Sequence, residues 1–409
     1  MNVDQMRKID FFVGVPLTFL LSLLLRPFLP RPKPGEGKRV LFLELSEMGS
    51  ALIVDPAMRK AKRQLGAELF FVIFKKNKPS LELLQTVPPE NIFTLRDQGL
   101  FALACDTLAF LRWTRRQGID SVIDLELFSR FTAILTGLSG ANNRVGFYGY
   151  HMEGLFRGSL LTHKVWYNPH QHMARNFLAM VDALASPVFE LPFSKRRADE
   201  SELVQTQVSF SPEELAPVKA KIQGLFVGRD LSRSKVLLVN PNASELLIQR
   251  RWMPEYYREL IALLLAEFMD LLVVLTGSPG EREEAQAMKE ALQSERVGNS
   301  AGMFQLVEMP KLYRISHAMV TNDSGPGHFS SITGLPVFVI FGPETPELYG
   351  SLGNSRPIYA GLACSPCVNA FNHRKTACTD NQCLKVIRPA QVFEALAPAL
   401  RSPDWIKLR

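Results

Sequence analysis

Ala318-Met-Val-Thr-Asn-Asp-Ser-Gly-Pro-Gly-His328, running on to Phe341-Gly-Pro343, decides how this chain is read. Ala318 to Thr321 has the content of a short buried strand, and Asn322 to Gly325 is turn chemistry. Pro326 suits the first turn of a following helix, where a missing N–H costs little. A strand, a Gly/Ser turn and a helix start gather free N–H groups and a positive dipole end at one point, which suits a diphosphate. Asp323, Ser324 and His328 add side chains able to reach a ribose, a phosphate or a departing oxygen. The same pattern also describes an ordinary strand-to-helix turn with a buried His.

Outward from that stretch, apolar strands alternate with helical segments. Val236–Val239, Leu271–Thr276, Ala318–Thr321 and Val337–Phe341 read as strands, with helices over Leu260–Glu267, Glu281–Gln293 and Leu306–Ile315. Earlier, Val40–Leu45, Leu69–Phe74, Ile92–Thr94 and Ser121–Asp124 read as strands. Ala51–Gln64, Leu81–Gln85, Phe101–Gln117 and Arg130–Gly137 read as helices between them. This rhythm predicts an α/β fold with two doubly wound, Rossmann-like domains. Ser194 to Gln207 is a polar passage between them. The expected division is a segment and linker over 1–37, domains over 38–205 and 206–388, and a tail or helix over 389–409. With 409 residues, 46% hydrophobic and 21% charged, each domain can bury its own core. A net charge of +7 fits acidic partners such as nucleotide diphosphates, anionic lipid or phosphorylated glycolipid. No compact basic-aromatic patch points to nucleic acid.

Phe11 to Leu25 is an uncharged apolar run, preceded by Arg7, Lys8 and Asp10 and followed by Arg26, Arg31, Lys33, Lys38 and Arg39. It is short for a spanning helix and Pro16 interrupts it. Arg26-Pro-Phe-Leu-Pro30 is a poor signal-peptide cleavage site. The run reads as a membrane-associating segment, an interfacial or re-entrant hairpin or a short tilted span, with its cations against anionic headgroups; a core helix of the first domain is the other reading. Arg31-Pro-Lys-Pro-Gly-Glu-Gly37 reads as a linker to the first strand.

Three motifs occur in order: Asn240-Pro-Asn-Ala-Ser244 with Arg250-Arg-Trp252, Leu275-Thr-Gly-Ser-Pro-Gly-Glu-Arg-Glu283, and Asn322-Asp-Ser-Gly-Pro-Gly-His328. Together they resemble the C-terminal half of glycosyltransferase family nine, the lipopolysaccharide heptosyltransferases and their relatives. Val40 to Pro56 resembles that family's first strand, glycine turn and helix, and Asn143-Arg-Val-Gly-Phe147 its mid-domain turn. The resemblance implies the GT-B arrangement, two Rossmann-like domains facing a cleft. It implies inverting, metal-independent transfer of a sugar from a nucleotide diphosphate to a lipid-linked acceptor such as a lipopolysaccharide core, at the cytoplasmic face of the inner membrane. Heptose from ADP-heptose is the favoured donor; a UDP or GDP hexose or aminosugar is the alternative. The donor residues it implies are Asn242, Ser244, Arg250, Ser278, Glu281, Asp323, Ser324, Gly325, Gly327 and His328. Glu283 is the alternative to Glu281, and either glutamate can equally be a helix-capping acid. Trp252 reads as packing.

One departure matters. Where the family has Gly followed by Asp, the presumed base, this chain has Gly49 followed by Ser50. Ser50 reads as a helix cap before Ala51. Glu47, in the same loop, is the preferred substitute carboxylate and Glu44 the second. A catalytically silent relative that binds nucleotide sugar or glycolipid is the reading from another class. Gly49, Arg144 and Lys164 are the acceptor-side candidates.

Four of the five cysteines cluster as Cys364, Cys367, Cys378 and Cys383. A C-x-x-C pair followed by two more thiols can close a tetrahedral zinc site, although the second pair lacks that spacing. Reduced thiols or a disulfide fit the same pattern. No cofactor is expected for catalysis.

Overall fold

The computed structural model describes residues 3–45, 48–148, 156–190, 195–243, 245–372 and 374–402. The chain divides into two compact units, Met1–Val204 and Gln205–Arg409.

The first unit is built on six parallel strands: β1 (Arg39–Leu43), β2 (Glu68–Phe74), β3 (Ile92–Leu95), β4 (Ser121–Asp124), β5 (Asn143–Tyr148) and β6 (His163–Trp166). Their spatial order is β3-β2-β1-β4-β5-β6. Val40 to Leu43 and Phe70 to Ile73 are fully buried, as runs covered by helices on both faces must be. Helix Asp55–Leu65 turns Ala57, Met58 and Ala61 inward and ends at Gly66, whose φ of +60° terminates it. On the other face, Phe93, Phe110 and Trp113 stack edge to face and tilted, closing the core over β2 and β3.

The second unit repeats the plan with β7 (Lys235–Asn240), β8 (Leu271–Leu275), β9 (Val297–Asn299), β10 (Ala318–Asn322), β11 (Val337–Phe341) and β12 (Ser355–Tyr359). The order is β12-β11-β10-β7-β8-β9, all parallel. Its core gathers Trp252, Tyr257, Leu260 and Leu264 from one helix region with Leu396 and Leu400 from helix Pro389–Arg401. Two sheets of six parallel strands, each doubly wound, are the GT-B type of architecture. In both sheets the strand order reverses once, between β1 and β4 and between β7 and β10. A doubly wound sheet opens a crevice at the carboxyl ends of the strands at that reversal.

Several elements differ from the expectation. Asn143-Arg-Val-Gly-Phe147 is strand β5 and not a turn: Val145 pairs with His163 and Gly146 with Asp124. β6, β9 and β12 escaped notice because each is short and half polar. Helix Met48–Ile53 begins before Ala51, so Ser50 lies inside it and does not cap it. The apolar run belongs to helix Gln5–Phe28, of 24 residues, long and apolar enough by composition to cross a membrane. It packs on the first unit, and residues 33–36 are tied down rather than free: the Lys33 N–H donates to Asn143 Oδ1 at 2.8 Å, and Asn143 Nδ2 donates to the Glu36 carbonyl at 2.6 Å.

β6 also buries His163, whose ring lies 4.9 Å from that of Phe189. Burial, with Arg144 nearby, lowers its pKa to about 4. The folded state therefore refuses a proton that the unfolded chain accepts below about pH 6.5. Stability is fully present above that value and falls as pH drops toward 4, by up to about 3 kcal/mol from this residue. Urea unfolding at pH 7 and pH 4.5 checks this: His163→Gln should lose markedly less stability across that interval than the unmodified chain.

Candidate functional site

The reversal between β7 and β10 brings together motifs that lie about 80 residues apart in sequence. Asn322, the last residue of β10, is wholly buried and holds the junction. Its Nδ2 donates to the carbonyls of Pro241 at 2.8 Å and Asn242 at 3.3 Å. Its Oδ1 accepts the Trp252 N–H and the Tyr257 hydroxyl, both at 3.0 Å. One amide thus fixes the turn after β7 and the backbone of the Arg250–Trp252 segment. Trp252 is packing, as its sequence reading held: it is fully buried, and its Nε1 donates to the Ile387 carbonyl at 2.9 Å.

Around this junction, polar groups meet without satisfying one another. Arg250 Nη1 lies 3.6 Å from Asp323 Oδ2, an ion pair too long for a good hydrogen bond. Arg250 Nε, Asp323 Oδ2 and Asn242 Nδ2 are each buried with no hydrogen-bond partner. Such groups cost about 1–3 kcal/mol apiece when left unmade, so three of them beside one strand-end crevice make it the candidate ligand site. They offer a cation, an anionic acceptor and an amide donor, a set able to bind phosphate oxygens and a sugar hydroxyl.

The remaining donor candidates separate by role. Ser324 Oγ is engaged locally, donating to the Asn322 carbonyl at 3.1 Å. At Gly327 a Cβ would meet Ser351 Oγ at 2.9 Å and Val339 at 3.4 Å, so packing of helix Gly325–Ser330 against β11 demands glycine there. At Gly325 the nearest atom is Phe329 at 3.9 Å, and the protein itself does not require glycine. His328 lies half-buried one turn further on. Glu281 takes the capping role: its carboxylate accepts the Ser278 N–H at 2.6 Å in a capping box, and Ser278 is exposed. Glu283 is exposed on helix Arg282–Leu292. Ser244 lies outside the described residues. In the second unit, two residues were missed by sequence reading. Asn322 was taken for a turn residue although it ends a strand. Glu344, buried at the carboxyl end of β11 with Arg374 Nε at 3.5 Å, sits in a loop of no recognisable spacing.

In the first unit, the reversal between β1 and β4 holds Glu44, buried just past β1. It also holds Glu126, past β4, whose Oε1 accepts the Leu45 N–H at 2.8 Å. Glu126 was overlooked because Leu125-Glu-Leu127 carries no motif. Gly49 is half-buried in helix Met48–Ile53. Glu47 lies outside the described residues. Arg144 does not reach this edge. It is the second residue of β5, at the opposite end of the sheet, and its guanidinium donates to the carbonyls of Leu160 at 2.7 Å, Ala141 at 2.6 Å and Pro30 at 3.2 Å. Burial lowers its pKa to about 10. It clamps the chain and is not placed to meet an acceptor. Lys164, second in β6, differs: it pairs with Gly146, level with Asp124 at the carboxyl end of β4, and its amine lies 4.4 Å over the ring of Tyr148, the last residue of β5.

The four clustered cysteines are free thiols. Cys383 is buried, and burial with the nearby Cys367, Cys378 and Cys364 pushes its pKa up to about 11. Cys367 Sγ meets Thr376 Oγ1 at 3.4 Å, and Cys378 Sγ accepts the Asn381 N–H at 3.3 Å. Those two sulfurs are thus engaged within their own loop. Among the described residues no three His, Cys, Asp or Glu side chains are set to hold a metal ion. As placed, the four thiols do not form the structural zinc site expected from their spacing; His373, between them in sequence, lies outside the described residues.

Comparison with known proteins joins these observations. The chain is 27% identical over 191 residues to lipooligosaccharide heptosyltransferase 2 of Campylobacter jejuni, covering 46% of this chain and 57% of that protein. It is 35% identical over 101 residues to lipopolysaccharide heptosyltransferase 2 of Salmonella typhimurium, covering 24% and 28% respectively. The chain therefore spans just over half the length of the first of these relatives and less of the second. Among solved structures it is similar to ADP-heptose lipopolysaccharide heptosyltransferase II of Escherichia coli, with a TM-score of 0.66, 20% identity and coverage of 88% of this chain and 98% of that one. It is also similar to E. coli heptosyltransferase WaaC with ADP, with a TM-score of 0.59, 18% identity and coverage of 88% and 99%. These likenesses speak to the fold. The profile of glycosyltransferase family 9 (heptosyltransferase) matches residues 108–377, well over half of the sequence, so the chain belongs to glycosyltransferase family 9.

Proposed function

We propose that this protein transfers a sugar, with inversion, from a nucleotide diphosphate to a lipid-linked acceptor, working at the cytoplasmic face of the inner membrane. The observation that carries the donor half is the set of unpartnered buried atoms, Arg250 Nε, Asn242 Nδ2 and Asp323 Oδ2, at the β7/β10 reversal. Arg250 would neutralise the diphosphate, Asn242 would donate to it, and Asp323 would accept from a hydroxyl of ribose or sugar. The relatives' names make heptose from ADP-heptose the favoured donor and a lipopolysaccharide core the favoured acceptor. In the reaction, an acceptor hydroxyl oxygen attacks the anomeric carbon as the bond from that carbon to the diphosphate oxygen breaks. The hydroxyl proton passes to a carboxylate, and the charge that develops on the departing diphosphate falls beside Arg250.

Calorimetry with ADP, UDP and GDP tests the donor half. ADP should bind most tightly, and Arg250→Ala and Asp323→Ala should each weaken it about ten- to a hundredfold, the loss of a charge-assisted hydrogen bond. Unchanged affinity in both variants would move the donor elsewhere.

Ser50, in place of the family's Asp, leaves the base to another residue, for which we propose Glu47, with Glu44 second. Glu47→Gln should then keep donor affinity and lower turnover by about two to four orders of magnitude, while Glu44→Gln is mild. The reverse pattern makes Glu44 the base. Ser50 in place of that Asp is also the motive for a runner-up reading, a binding protein without turnover. That reading holds if the unmodified chain binds donor yet transfers nothing to any lipid-linked acceptor, and if Ser50→Asp then gains transfer.

A further inference from the structure

Helix Gln5–Phe28 turns its large apolar side chains away from the protein. Its buried positions are small or polar: Gly14, Thr18 and Ser22 face the protein at four-residue spacing, with Asp10 one step before them. Its outer face is apolar, with Phe12 71%, Leu23 66% and Phe28 83% exposed. A helix packed on a soluble domain normally buries its apolar stripe and wets its polar one. Here the medium on the outer side has to be less polar than the protein surface on the inner side. Helix ends carry charge to match: Lys8 is exposed before the run, and Arg26, Arg31 and Lys33 are exposed after it.

The buried stripe is joined to the first unit along its length. The Asp10 carboxylate accepts the backbone N–H groups of Arg130 and Phe131, both at 2.9 Å, and lies 3.4 Å from the Arg130 guanidinium. It is an anion at the start of helix Arg130–Leu138, where the dipole and the free N–H groups favour one. Gly14 lies against Arg130, where a Cβ would come within 2.9 Å. Gly158, with φ +71°, lies so close that a Cβ would meet Ser22 Oγ and Thr18 inside 2.6 Å. Ser22 Oγ accepts the Ser159 N–H at 2.8 Å. Just past the helix, the Pro30 carbonyl accepts from Arg144. Asp10 therefore sits at the carboxyl edge of the first sheet, beyond β4, and Pro30 near its amino edge, at the start of β5.

We propose that this helix is a monotopic membrane anchor. It lies in the plane of an anionic leaflet with its outer face among the acyl chains, and it holds the first unit rigidly against that surface. A span is incompatible with the docking. A helix crossing the bilayer along those 24 residues would draw what packs against it, helix Arg130–Leu138 and the 156–159 segment with the Asp10–Arg130 ion pair, into the hydrocarbon, where ionised groups are costly. An in-plane helix immerses only the face that the protein leaves uncovered, and cations at both ends meet headgroups at one depth. The proposal rests on the membrane half of the function proposed above and is independent of the donor.

Flotation of the full chain on vesicles of phosphatidylethanolamine and phosphatidylglycerol tests it, together with depth-dependent quenching by brominated lipids. The unmodified chain should float, and Phe12→Asp/Phe19→Asp/Leu23→Asp, which changes only exposed positions, should not, with its melting temperature kept and its ADP affinity unchanged. Tryptophans placed by Leu17→Trp and Phe28→Trp should be quenched at the same shallow depth. A mid-bilayer Leu17→Trp beside a shallow Phe28→Trp would mean a span and overturn the proposal. So would flotation of the triple variant, or failure of the unmodified chain to float. ADP affinity measured on the same samples reads the donor assignment separately.

Discussion

The side-chain amide of Asn322 is the constraint on which the donor crevice depends. It is the last residue of β10, yet it hydrogen-bonds the turn after β7, the backbone of Trp252 and the hydroxyl of Tyr257. Because all four bonds are buried, a shift of any one segment leaves a polar group without a partner. That rigidity lets the neighbouring Arg250, Asn242 and Asp323 remain incompletely satisfied by the protein itself. A preorganised but unsatisfied set is what binding an anionic, hydroxyl-rich molecule requires, since little reorganisation is left for the moment of binding.

The two sheets share one strand order but differ in what their reversals hold. Around β7 and β10 the groups are a cation, an amide and one carboxylate. Around β1 and β4 they are acidic, with Glu44 buried and Glu126 bonded to the Leu45 N–H. On the proposed function, one crevice would take the diphosphate and the other the proton. The first unit also carries the inside-out helix, so the acidic crevice belongs to the unit that would rest on lipid. An enzyme that joins a soluble donor to a membrane-held acceptor would divide its chemistry in this way.

Much of the fold was legible because parallel strands buried on both faces leave continuous apolar runs. β1, β2, β7, β8, β10 and β11 all do so. β5 was hidden because Asn143, Arg144 and Gly146 look like turn residues, whereas Arg144 is buried through hydrogen bonds to carbonyls both near, Ala141, and distant in sequence, Leu160 and Pro30. Arg250 and Asp323 were readable from their motifs, but Asn322 was not, since nothing in an Asn-Asp-Ser turn says that its amide reaches back 80 residues. Glu281 shows the reverse case: a carboxylate at motif spacing that serves as a helix cap. The apolar run was visible as a membrane segment, yet its mode of attachment lies in the four-residue spacing of Asp10, Gly14, Thr18 and Ser22, which acquires meaning only against Arg130 and Gly158.

The central claim is that the junction held by Asn322 is the nucleotide site, and a crystal structure of the chain grown with saturating ADP tests it most directly. The account predicts the diphosphate within hydrogen-bond distance of Arg250 and Asn242, at the carboxyl ends of β7 and β10, with Asp323 Oδ2 accepting a hydroxyl. Nucleotide bound elsewhere, with Arg250 and Asp323 still facing each other as they do now, would contradict it.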